Sequence, residues 1–162
     1  MWQQIKAKIM DWQAARTQVE TWQKSGEKVV FTNGCYDILH VGHAQLLANA
    51  RALGDRLLVA VNTDASVRRL KGSERPINEV ESRQILLASL QSVDAVVSFE
   101  EDTPLKLILH LQPDCLVKGG DWALDQIVGA KEVRSSGGEV YSLPFLEGYS
   151  TTDVIEKIKN LA

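Results

Sequence analysis

Phe31-Thr32-Asn33-Gly34-Cys35-Tyr36-Asp37-Ile38-Leu39-His40-Val41-Gly42-His43 follows the apolar run Val29-Val30 and leads into a helical pattern. A strand that ends at a glycine and turns into a helix gathers free backbone N–H groups at the positive end of a helix dipole. That is a ready phosphate site. It is neither a Walker loop, since G-x-x-x-x-G-K-S/T is absent, nor a dinucleotide fingerprint, since G-x-G-x-x-G is absent. His40 and His43 are three apart, which puts both imidazoles on one side of a single turn. Gly42 between them reads as room for a ligand to approach the backbone. As metal ligands the pair would need a third partner, and the H-E-x-x-H spacing is missing. As structural histidines they would be satisfied by local hydrogen bonds. As donors to phosphate oxygens they match the strand end, the glycine and the helix start together.

Outward from this stretch, short apolar runs alternate with helical patterns. The runs are Leu57 to Val61, Ala95 to Val97, Cys115 to Val117 and Val140 to Leu143. Near-continuous apolar strands suit a parallel sheet covered on both faces. Asn78 with Glu81 and Ser150 with Asp153 read as helix caps, and Thr103-Pro104 as a cap with proline at the first helical position. The alternation predicts an α/β fold: a Rossmann-like, doubly wound, five-stranded parallel sheet with helices on both faces. Residues 1–26 are expected to form an amphipathic N-terminal helix carrying Trp2, Ile5, Ile9, Trp12, Val19 and Trp22 as its stripe, ahead of a domain of residues 27–162. The stripe either packs on the domain or makes a dimer contact.

The length of 162 residues fits one domain, and 44% hydrophobic with 24% charged residues excludes a disordered chain. Two cysteines, Cys35 and Cys115, make no disulfide framework and suit a reducing compartment. No apolar run approaches the ~18 residues that span a bilayer, and the N-terminus is too polar for a signal peptide. A cytoplasmic protein without membrane contact is therefore expected. A net charge of −3 argues against a nucleic-acid partner. Ligands of doubly wound sheets bind beyond the carboxyl ends of the strands. The residues there are Thr32-Asn33-Gly34, Asn62 to Asp64, Lys118 to Asp121 and Gly148 to Thr152. The loop Arg68 to Arg75, with four basic residues and Glu74, reads as a mobile basic lid over a phosphorylated ligand. Cys35, Cys115 and His110 carry no chemistry in this reading; Trp122 packs near the ligand or on the wall.

His40-Val41-Gly42-His43 resembles the H-x-G-H signature of the nucleotidyltransferase superfamily, and Ser150-Thr151-Thr152 resembles its second signature at the start of the last helix. Over about residues 28 to 160 the chain is most similar to the D-glycero-β-D-manno-heptose 1-phosphate adenylyltransferases, the second half of the bifunctional ADP-heptose synthases. The resemblance rests on Thr32 to His43, Val59 to Asp64, Arg69 to Gly72, Val97 to Pro104, Leu116 to Asp121, Gly137 to Val140 and Gly148 to Thr152. It implies an adenylyltransferase that joins ATP to a sugar 1-phosphate and releases pyrophosphate. It assigns His40, His43 and Lys71 to catalysis. Thr32, Asn33, Gly34, Asp37, Gly119, Gly120, Asp121, Ser150, Thr151 and Thr152 would bind the nucleotide and its phosphates. Asn62, Asp64 and Arg83 would bind the second substrate. Mg²⁺ would be held mainly through substrate phosphates, with no protein metal site, and a homo-oligomer, a dimer, is expected. The same chemistry in glycerol-3-phosphate cytidylyltransferases is the near alternative, but those carry an arginine where this chain has Phe145. A non-catalytic nucleotide-binding module is the alternative of a different class.

Overall fold

The computed structural model describes residues 1–161. Its strands are β1 (Ile9–Met10), β2 (Val29–Gly34), β3 (Arg56–Asn62), β4 (Ala95–Phe99), β5 (Cys115–Gly119) and β6 (Glu139–Leu143). Every pairing is parallel, in the order β1-β4-β3-β2-β5-β6. The helices are α1 (Trp2–Ala7), α2 (Trp12–Lys24), α3 (Val41–Arg51), α4 (Asp64–Lys71), α5 (Val80–Ala88), α6 (Leu105–Leu111), α7 (Ala130–Ser135) and α8 (Thr151–Leu161), with a short 3-10 helix at Leu124–Gln126. From β2 to β6 the sheet has the doubly wound order 3-2-1-4-5, and its direction of winding reverses between β2 and β5. A crevice opens at such a reversal.

Alternation along the strands divides the core into two layers. Phe31, Leu58, Val97 and Leu116 pack with Val19 and Trp22 of α2, Leu107 and Ile108 of α6 and Val133 of α7. Val30, Val59, Val96 and Val117 pack with Leu47 and Ala50 of α3 and Leu87 of α5. Both faces are covered, as the apolar strands require.

The N-terminal segment departs from the expected single helix. Ile9-Met10 is a sixth strand, pairing with Val96 and Val97 of β4. Asp11 opens a new helix, its carboxylate accepting the Ala14 N–H at 2.8 Å. The open edge of β4 offers backbone partners that a helix would leave unused: Val96 N–H donates to Lys8 O at 2.8 Å. The stripe is divided between layers accordingly. Trp22 is buried and Trp12 is half-buried with its indole N–H on Ser98 O at 2.8 Å, while Trp2 is exposed. The segment 1–26 is thus part of the same sheet and core. Two caps also differ. α5 starts after Glu79, without a side-chain cap, and Pro104 precedes α6 as its N-cap. The Ser150 cap is present, with Asp153 N–H donating to its Oγ at 3.0 Å.

Candidate active site

A cleft of about 680 Å³ lies over the carboxyl ends of β2, β3 and β5 and reaches α8. Its floor begins where β2 ends. Gly34 has no Cβ because one there would come within 3.0 Å of the Tyr36 ring. Tyr36 takes a left-handed backbone (φ 49°) and turns the chain back towards α3. Asp37 follows, and its fully buried carboxylate accepts from Arg75 Nε (2.6 Å), Ile77 N–H (2.8 Å) and Asn78 N–H (2.8 Å). Burial pushes that carboxyl up, but the Asn78 and Ile77 N–H groups and Arg75 outweigh it, so its pKa lies below the ordinary value. Asn78, expected to cap α5, instead donates its side-chain amide to Asp37 O.

His40 caps α3 and His43 stands one turn on. Their rings stack with centroids 3.9 Å apart and planes at 26°. The His40 N–H donates to Nδ1 of His43 at 3.4 Å, which leaves the His43 proton on Nε2. Burial first, and then the His40 charge, lowers the His43 pKa to about 4; burial lowers that of His40 as well. Both are neutral near pH 7, and a neutral imidazole with Nδ1 occupied is a hydrogen-bond donor through Nε2. Gly42 serves the pair itself: a Cβ there would sit 3.0 Å from the His40 ring. The expected room for a ligand is thus taken by His40.

The start of α8 is tied to this turn. Thr151 Oγ1 donates to Ile38 O at 3.2 Å, and the Tyr149 ring lies 6.3 Å from His40. Ser150, Thr151 and Thr152 line the cleft, and the free N–H groups of the first turn favour an anion. Across the cleft, Lys71 ends α4 and is exposed. Gly119 is buried at the end of β5, where a Cβ would meet Leu46 at 2.7 Å. Gly120 has φ 115°, which only glycine takes readily. This turn lets Trp122 fold back, its indole N–H on Gly119 O at 3.0 Å.

Three comparisons place these features among known proteins. The cytidylyltransferase-like family model matches residues 31–157. The chain belongs to the cytidylyltransferase-like family. It is 56% identical over 152 residues to the bifunctional protein HldE of Yersinia enterocolitica, covering 94% of this chain and 32% of that one. It is 57% identical over 151 residues to HldE of Salmonella paratyphi B, covering 93% and 32%. The chain spans about a third of the length of these curated relatives. A lipopolysaccharide core biosynthesis protein from Thermoplasma volcanium matches with a TM-score of 0.62 and 30% identity, covering 77% of this chain and all of that one. Pantoate-beta-alanine ligase from Francisella tularensis, at TM-score 0.60 and 17% identity over 93% of this chain and 76% of its own, shares the fold alone. The chain is a nucleotidyltransferase.

In this cytidylyltransferase-like chain the cleft gathers Asn33, Gly34, Asp37, His40, His43, Asn62, Lys71, Gly119 and Ser150 to Thr152. It does not gather every expected residue. Thr32 is fully buried in β2, outside the lining, and Gly120 and Asp121 also lie outside it. Arg83, expected at the second substrate, is 0% exposed. Its Nε donates to Asn78 O, Nη1 to Cys35 O (2.6 Å) and Asn62 O (2.8 Å), and Nη2 to Asp64 Oδ1 (2.7 Å). Arg83 therefore clamps α5 to the ends of β2 and β3, and Asp64 is its counter-ion outside the cleft. Asn62 lines the cleft but bonds Ser66 Oγ through Nδ2 at 3.0 Å. The basic loop is tethered rather than free, since Arg75 is held by Asp37 and Arg69 by Asp102 and Glu100 O. Sequence reasoning placed Lys118 among the residues beyond the strand ends but gave it no role; it lines the cleft from β5.

Proposed function

We propose that this chain transfers the adenylyl group of ATP to D-glycero-β-D-manno-heptose 1-phosphate, forming ADP-heptose and pyrophosphate for lipopolysaccharide core or surface polysaccharide. The observation that carries the reading is the stacked, neutral His40–His43 pair at the start of α3, with the N-terminus of α8 fastened beside it. The names of the HldE relatives and of the lipopolysaccharide core biosynthesis protein support the sugar.

The acceptor phosphate oxygen attacks the α-phosphorus of ATP in line, and pyrophosphate leaves. The protein forms no covalent bond; it positions charges against a transition state spread over phosphate oxygens. His43 Nε2–H and the His40 imidazole donate to the α-phosphate oxygens as they gain charge. Ser150 to Thr152 hold the departing phosphates with hydroxyls and backbone N–H groups, and Lys71 neutralises further charge. Among the described residues no group of three His, Cys, Asp or Glu side chains could hold a metal ion. Mg²⁺ would be carried by the phosphates and water, where it would screen their charge.

Pyrophosphate release measured with ATP, CTP, GTP and UTP against heptose 1-phosphate and glycerol 3-phosphate tests the reading. ATP with heptose 1-phosphate is expected to stand alone, and preference for CTP with glycerol 3-phosphate would replace it with a cytidylyltransferase. Lys71→Ala should lower turnover by about 100-fold, the scale of losing one charge-stabilising donor.

A further inference from the structure

The cleft is lined by His40 and His43 and also by two lysines, Lys71 and Lys118. Along β5, Cys115 and Val117 pack into the α3 layer and Leu116 into the α2–α6 layer. Lys118 therefore leaves the sheet on the side of Leu116, opposite the face that carries α3. It still lines the same cleft as His40 and His43. The cleft straddles the sheet edge, and Lys118 enters it from the far wall.

Lys118 is half-buried, yet among the described residues its ammonium has no hydrogen-bond or ion-pair partner. Burial holds that ammonium below its usual pKa range; the nearby Cys35 thiol opposes this and the Lys71 charge adds to it. Arg75, by contrast, is neutralised by Asp37, and Arg69 by Asp102. A half-buried, unpaired ammonium beside a second cation is costly on its own. It becomes favourable when a doubly charged anion sits between the two.

We infer that Lys118, from the sheet, with Lys71, from α4, forms the subsite for the acceptor's phosphate, and that Lys118 thereby selects a phosphorylated acceptor. This rests on the adenylyltransferase reading above. Entering and leaving oxygens lie on opposite sides of the phosphorus in an in-line displacement. With the α-phosphate at the histidines and the leaving phosphates at α8, the entering phosphate approaches from the wall that bears Lys118. There it is a binding group for the acceptor and not for the nucleotide.

Calorimetry on the full chain tests this, with the non-hydrolysable α,β-methylene ATP and Mg²⁺ saturating and heptose 1-phosphate as titrant. Lys118→Met should weaken heptose 1-phosphate by about 30-fold, the scale of a charge-assisted hydrogen bond. The affinity for α,β-methylene ATP should stay within about threefold, and the melting temperature should not fall. Lys118→Arg should regain most of the acceptor affinity. Unchanged acceptor affinity in Lys118→Met, or an equal loss for the nucleotide analogue, overturns the inference. A wild type that binds no heptose 1-phosphate overturns it too. Turnover of the wild type judges the adenylyltransferase reading separately: an active wild type with an indifferent Lys118→Met removes only the lysine.

Discussion

His43 is half-buried against His40, and its pKa is lowered to about 4, whereas an unfolded histidine titrates near 6.5. As the pH falls, the unfolded chain takes up this proton first. The stability that a neutral His43 lends is complete above about 6.5 and is lost down to about 4. Thermal melts over that interval should therefore fall more steeply for the wild type than for His43→Gln. Asp37, whose pKa is lowered from 3.8, adds its own loss only below that window. In catalysis, His43→Ala should cost about 100- to 1,000-fold in turnover, with ATP affinity falling far less, because the donor acts on charge that develops during reaction. Steady-state kinetics beside a binding titration separates the two. Arg83 behaves differently. Arg83→Met strands three carbonyls and the Asp64 carboxylate, so denaturant unfolding should show a loss of about 3–5 kcal/mol. The histidine pair was legible because a three-residue spacing is local information. The role of Arg83 was not, because its partners at Cys35, Asn62 and Asp64 are brought to it by β2, β3 and α4. A basic residue matched to a substrate site reads the same in sequence whether its donors face a ligand or four oxygens of its own chain.

At the scale of elements, the strands from β2 to β6 were legible because each is built on a short, mainly apolar run bounded by glycine or polar residues. β1 was not. Ile9 falls in register with a helical stripe, and a strand of two residues carries no period of its own; Asp11 as the cap of α2 was the one local sign of a break. Apart from Trp2, which is exposed, the residues of the stripe pack against the interior. Trp22 packs with Ala15 and Val19 against the core and lies 5.4 Å from the Arg56 guanidinium. Trp22→Ala should therefore destabilise the chain by about 3–5 kcal/mol, as large-to-small core changes do, and urea unfolding reads it directly. A dimer contact through this tryptophan would instead appear as a change in mass at unchanged monomer stability.

For the whole molecule, charge is distributed unevenly. The chain carries −3 overall, yet the cleft presents Lys71, Lys118 and the start of α8. ATP affinity should weaken several-fold between low and high salt, as screening removes the attraction of exposed groups such as Lys71, and a titration in increasing potassium chloride measures it. No helix among the described residues is long and apolar enough to cross a membrane. The doubly wound parallel architecture followed from the alternation of runs, whereas the outer boundary of the sheet did not, since nothing in an apolar run such as Ala95 to Val97 says what lies beside it. That boundary has a practical side. β4 is buried along nearly its whole length, with Ala95, Val96 and Val97 at 0% exposure, and only the two residues of β1 close its outer rim. A flat apolar strand with free N–H and C=O groups is a template for pairing with other chains. β1 is thus placed to act as a guard of that rim against other chains. A chain trimmed to begin at Lys28 would present that rim to its neighbours, and clumping during expression would be the expected sign that the guard was gone.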